Sequence, residues 1–137
     1  MHGFAFSTDV RVRFAETDAQ GIAHHAAFAV WCEVARIAWL DAFAGGYDAI
    51  RARGIEALTT ELVLRYRRAA AFHDVLTVWT RCGGVRGARF RFDYRIERGG
   101  ELVADGHTSH ATVDAVTRSP VRVPDWLAEA VRAARGA

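Results

Sequence analysis

His25-Ala-Ala-Phe-Ala-Val-Trp-Cys-Glu-Val-Ala-Arg-Ile-Ala-Trp-Leu-Asp-Ala-Phe43 is the stretch that decides the architecture. It is rich in Ala, has a helical pattern, and is closed by Gly45-Gly46, glycines being common just past a helix C-terminus. Glu33, Arg36 and Asp41 inside it make it a helix candidate and not a membrane span. With Glu33 set at zero degrees, His25, Ala29 and Arg36 fall on the same side within an arc of roughly 80°. Most of the remaining circumference is apolar, from Phe28, Val30 and Trp31 to Trp39 and Leu40. A helix this apolar needs cover on more than its sheet-facing side. One small domain cannot easily supply that, so self-association into a homodimer or homotetramer is expected.

Outward from the helix the pattern turns to strands. Thr8–Phe14 alternates, with Val10, Val12 and Phe14 on one side and Asp9, Arg11 and Arg13 on the other. Leu58–Arg67 alternates as well. Val75–Cys82 is β-branched and is expected to turn at Gly83-Gly84. Ala88–Glu97 places Ala88, Phe90, Phe92, Tyr94 and Ile96 inward, and Arg98-Gly99-Gly100 reads as a hairpin turn. Leu102–Val113 is a long strand in which Gly106 is expected to mark a bulge or bend. Tyr47–Arg53 offers a short extra turn, and Asp125–Arg135 a short amphipathic helix. The order β–α–β–β–β–β plus a terminal helix, with short links among the last four strands, predicts an α+β two-layer domain with antiparallel pairing.

The chain has 137 residues, 51% of them apolar and 25% charged, which fits one soluble globular domain spanning 1–137. The net charge of +2 does not argue for a nucleic-acid or membrane partner. All 18 basic residues are Arg. Schiff-base chemistry, a lysine general base and a P-loop are therefore excluded. Cys32 and Cys82 lie fifty positions apart without a CxxC, and are expected to be buried thiols of a reducing cytoplasm. The N-terminus has no signal-peptide pattern. His107 and His110, three apart on a strand, point to opposite faces and cannot chelate together, so no metal site or cofactor is expected. Ser7, Ser109 and Ser119 have no nucleophile-elbow context.

The chemistry is carried by Asp18-Ala-Gln-Gly-Ile-Ala-His-His25-Ala-Ala-Phe28, which places a loop carboxylate seven residues before a helix start. A helix N-terminus presents unpaired N–H groups and a positive partial charge. It can hold a carbonyl oxygen and stabilise the oxyanion that forms there. A carboxylate beside that carbon can attack it or activate a water. The competing reading is that Asp18 only turns the loop, an ordinary use of Asp.

This run, followed by Trp31, Glu33 and Arg36, resembles the signature of the 4-hydroxybenzoyl-CoA thioesterase and YbgC-like acyl-CoA thioesterase family, which has the hotdog fold. The resemblance spans about Val10 to Pro124. It includes Tyr66-Arg-Arg-Ala-Ala-Ala-Phe-His-Asp74-Val-Leu-Thr77-Val and the exit Val113-Asp-Ala-Val-Thr-Arg-Ser-Pro120-Val-Arg-Val-Pro124. It implies an antiparallel five-stranded sheet wrapped around one long helix, and hydrolysis of acyl-CoA or acyl-carrier-protein thioesters without a cofactor. By position it implies Asp18 as the catalytic carboxylate and His25 as the residue whose backbone N–H polarises the carbonyl. Glu33, His24 and Arg86 are implied on the substrate, Arg86 as the first of a basic cluster meeting the coenzyme A phosphates. Gly87 and Ala88 follow Arg86 where the benzoyl enzymes are more basic. Glu33 has a second reading, an i, i+3 pair with Arg36. A hotdog dehydratase or hydratase and a non-catalytic acyl-thioester binding module are the alternatives to hydrolysis.

Overall fold

The computed structural model describes residues 3–135. Five strands, β1 (Phe6–Arg11), β2 (Ile55–Tyr66), β3 (Val75–Arg86), β4 (Arg89–Arg98) and β5 (Glu101–Asp114), form one sheet in the order β1-β3-β4-β5-β2. Every neighbouring pair is antiparallel. The helix α1 (His25–Phe43) lies in the curve of the sheet, and α2 (Tyr47–Ala52) and α3 (Asp125–Arg135) follow it in the chain. This is the helix-wrapping antiparallel sheet that the sequence predicts, with α1 and α3 at the expected residues. No helix among the described residues is long and apolar enough to cross a membrane.

The core forms where α1 meets the inward face of the sheet. Phe90, Phe92, Tyr94 and Ile96 of β4 alternate into it, as their period of two requires. Trp39 meets Phe92 edge-on at 5.4 Å, and Phe6 meets Phe43 the same way. Cys32 and Cys82 are buried free thiols, and burial pushes both up to about 12. α1 ends because Gly45 and Gly46 take positive φ, which lets the Ala44 and Gly46 N–H groups both donate to the Leu40 carbonyl.

Three local expectations are corrected. Gly83-Gly84 is not a turn: β3 runs on to Arg86 with a register shift between Gly83 and Arg86, and the reversal falls at Gly87. The Arg135 guanidinium of α3 packs against Gly83 in the space a side chain would take. Gly106 is not a bulge, since its pairing with Tyr94 and Leu64 is in register. Its missing Cβ instead makes room for the Val63 backbone. Phe14 does not continue β1. It opens a 3-10 turn, Phe14–Glu16, and is 75% exposed, its ring meeting Phe72 edge-on at 5.6 Å.

Candidate active site

The loop between β1 and α1 is built around Glu16. Its carboxylate accepts the Arg13 N–H at 2.8 Å and the Trp31 Nε1–H at 2.9 Å, and its carbonyl accepts the His24 N–H at 2.9 Å. Burial alone would raise this carboxyl. The donors from Arg13, backbone and guanidinium, and from Trp31 outweigh it and hold the group below the usual range. The loop is also tied by bridges between Thr17 and Ala23 and between Ile22 and Ala71. The Ala23 N–H donates to the Ala70 carbonyl at 2.7 Å. The entry to α1 is therefore anchored at both ends.

Asp18 stands on this anchored loop, exposed to solvent. Its Oδ1 accepts the Gln20 N–H at 2.8 Å, and its carbonyl accepts the Gly21 N–H at 3.0 Å. It thus makes the turn that the competing reading asks of it, using one carboxylate oxygen. His24 is the N-cap, its Nδ1 accepting the Ala27 N–H at 3.2 Å. The N–H groups of His25 and Ala26 belong to the same first turn, whose donors have no acceptor within the helix. The His25 ring stacks on Tyr66 with centroids 4.2 Å apart, and the Tyr66 hydroxyl donates to the His25 carbonyl at 3.0 Å. Asp18, His24 and His25 are therefore gathered at one end of the molecule, where β2 ends and β3 begins.

Glu33 is farther along α1. It borders a cavity of about 350 Å³ and lies 4.0 Å from Arg36. Arg86 is not brought to the Asp18 end. It sits at the far end of β3, roughly 35 Å along the strand from Val75, and faces Arg89 across the hairpin.

Three features have no counterpart in the sequence reading. Glu16 had a local signal, the Arg13-x-x-Glu16 spacing of a capping box before a helical turn. Tyr66 reaches His25 across 41 positions, which no local pattern encodes. The third is a buried polar row beneath α1. Arg36 Nη1 donates to the Tyr94 hydroxyl at 3.1 Å, which meets Thr108 Oγ1 at 2.7 Å, and Thr108 Oγ1 meets His110 Nε2 at 2.7 Å. Burial, with the Arg36 charge acting in the same direction, pushes His110 down to about 4, and burial pushes Tyr94 up. Among the described residues no group of three or more His, Cys, Asp or Glu is placed to hold a metal ion.

A five-stranded antiparallel sheet wrapped around one long helix is the hotdog fold, and the chain is a thioester hydrolase of that fold. The chain belongs to the thioesterase-like superfamily, whose family model matches residues 12–131. The putative acyl-CoA thioesterase YneP of Bacillus subtilis is 28% identical over 123 residues, covering 86% of this chain and 89% of its own. Among solved structures, the hypothetical protein TT1821 of Thermus thermophilus superposes with a TM-score of 0.87 at 35% identity, covering 93% of this chain and 97% of its own. A DHNA-CoA thioesterase from Staphylococcus aureus does so with a TM-score of 0.86 at 28% identity, covering 95% and 90%.

Proposed function

We propose that this enzyme hydrolyses acyl-CoA or acyl-carrier-protein thioesters at the Asp18 end of α1. The observation that carries the reading is the exposed Asp18 carboxylate on a loop pinned to the first turn of the helix. A thioester carbonyl directed at that turn would meet the N–H of His25, which stabilises negative charge as it develops on oxygen. Asp18 then attacks the carbonyl carbon, expelling the thiolate and leaving a mixed anhydride that water opens. In the other course Asp18 takes a proton from water, and the water oxygen attacks instead. Either course ends in a carboxylic acid and a free thiol.

The same reading includes self-association. Val30, Val34 and Ile37 of α1 and Leu62 of β2 are exposed, and β2 is an edge strand twelve residues long. Exposed apolar surface beside an unpaired strand edge favours cover by a second copy. Because Arg86 and Arg89 stand at the β3–β4 hairpin, far from Asp18, their contact with coenzyme A phosphates would be made to a thioester held by a neighbouring copy.

The test is a panel of short-chain, long-chain and aromatic acyl-CoAs, with thiol release followed by a trapping dye and no metal added. Cleavage of one class well above background supports the reading. No cleavage across the panel, together with no cleavage of acyl-carrier-protein thioesters, overturns it.

A further inference from the structure

α1 and β2 run side by side in opposite directions, and three gaps lie along the seam between them. At the helix start a gap of about 260 Å³ is bordered by His25, Tyr66 and Arg67–Ala69. In the middle, one of about 190 Å³ lies between Ala29 and Leu62. Farther on, the cavity of about 350 Å³ opens beside Arg36, which also borders the middle gap. Arg36 is eleven residues beyond His25, or about 16 Å along the helix axis, and its side chain leans back toward the helix start to border the middle gap beside Ala29, which shortens the span to its guanidinium. The walls of this last cavity are mostly apolar, with Ile37, Leu40, Ile50 and Phe92 among them.

The charges along the cavity are unequal. The Arg36 side chain is only 15% exposed, yet its one hydrogen bond among the described residues is the donation to the neutral Tyr94 hydroxyl. A guanidinium has five N–H donors. Its nearest carboxylate, Glu33, is 4.0 Å away and 68% exposed, at the rim and free to turn to solvent. Glu56, the other acid on the wall, is already occupied by Arg51 at 3.1 Å and the Tyr47 hydroxyl at 2.5 Å. The inner end of the seam thus holds an under-used cation in a largely apolar enclosure, where charge-assisted hydrogen bonds are strong.

We propose that this seam binds the acyl chain of a thioester whose far end carries a carboxylate, and that Arg36 recognises that carboxylate. The inference rests on the thioesterase reading above and names its substrate class: medium-length ω-carboxyacyl thioesters, with the thioester at the start of α1 and the acid at Arg36. The apolar middle of the seam accommodates the methylene chain. Glu33 opposes the incoming charge and limits the preference.

Two measurements test this independently. The first compares kcat/KM for suberoyl-CoA and octanoyl-CoA, which share a chain length and differ in the terminal carboxylate. The wild-type enzyme should favour suberoyl-CoA about tenfold or more. Arg36→Gln should remove that preference, Arg36→Lys should restore part of it, and Glu33→Gln should raise it a few-fold. Both thioesters are measured on one preparation, so partial misfolding of a variant cancels in the ratio. The second is calorimetric binding of free suberate and of free octanoate, which needs no catalysis. Suberate should bind tighter, and Arg36→Gln should weaken it about tenfold. Equal or better use of octanoyl-CoA, or a ratio indifferent to Arg36, overturns the inference while hydrolysis itself stands. Arg36-dependent suberate binding without cleavage of any thioester would uphold the binding site and count against the hydrolase reading instead.

Discussion

The two sides of α1 are made of similar residues and live in different surroundings. On one side Phe28, Trp31, Cys32, Ala35 and Trp39 are at most 2% exposed against the sheet. On the other, Val30 is 47% exposed and Val34 43%. Hydrophobicity alone does not separate them, since both are apolar. What separates them is that the sheet of one chain curves around only one side. The covered side makes the fold. The open side, with the α1–β2 seam and the N-terminal turn, is the surface that we propose takes substrate and a second copy of the chain.

That contrast can be tested by substitution on each side. Trp39→Ala should have the largest effect on stability, about 3–5 kcal/mol, because it removes a large buried ring from Phe92 and Phe43. Chemical denaturation would measure it, and a loss under 1 kcal/mol would show that the covered side is not the core. The polar row beneath α1 predicts a pH effect. His110 is held down to about 4, below its ordinary 6.5, so in this interval the unfolded chain binds a proton that the folded chain does not. Stability should therefore fall as pH drops from about 6.5 to 4, by about 3 kcal/mol at most. His110→Gln should flatten that slope.

Glu16 acts in a lower window. Its folded value lies below the ordinary glutamate value, so its contribution is present above that ordinary value and is lost as pH falls through the folded one. On the open side, Val34→Asp should leave the thermal melt of the chain itself little changed. It should shift the wild-type assembly toward a 15.1 kDa monomer in light scattering. A wild type already monomeric at micromolar concentration would remove the reason for that surface. The smallest effect should be that of Glu33→Gln on stability, within about 0.5 kcal/mol, because its pairing with Arg36 is long and exposed.

The sequence was most legible where the determining contacts are local or periodic. The bounds of α1 follow from its apolar run and Gly45-Gly46, and the inward set of β4 follows from strict alternation. Asp18, His24 and His25 were legible as a group because Asp18 lies only seven positions before His25 in the chain. Gly83-Gly84 misled because two glycines signal a turn equally well as a bulge, and the deciding neighbour, Arg135, comes from a helix fifty residues later. Phe14 misled because alternation does not register the 3-10 turn that rotates it outward. Tyr66 and the row from Arg36 through Tyr94 to His110 were not legible at all. They depend on which strands lie next to α1, and that is fixed by the whole sheet.

The central claim is that the exposed Asp18 carboxylate does the chemistry at the start of α1. Asp18→Asn keeps the shape and the acceptor that holds Gln20, and removes the negative charge. The direct measurement is steady-state turnover of the best acyl-CoA substrate by Asp18→Asn beside the wild type, with thermal melts of both. The account predicts a loss of at least about 100-fold in kcat with a nearly unchanged melting temperature. A variant that folds normally and turns over at the wild-type rate would return Asp18 to a turn-forming residue and contradict the account.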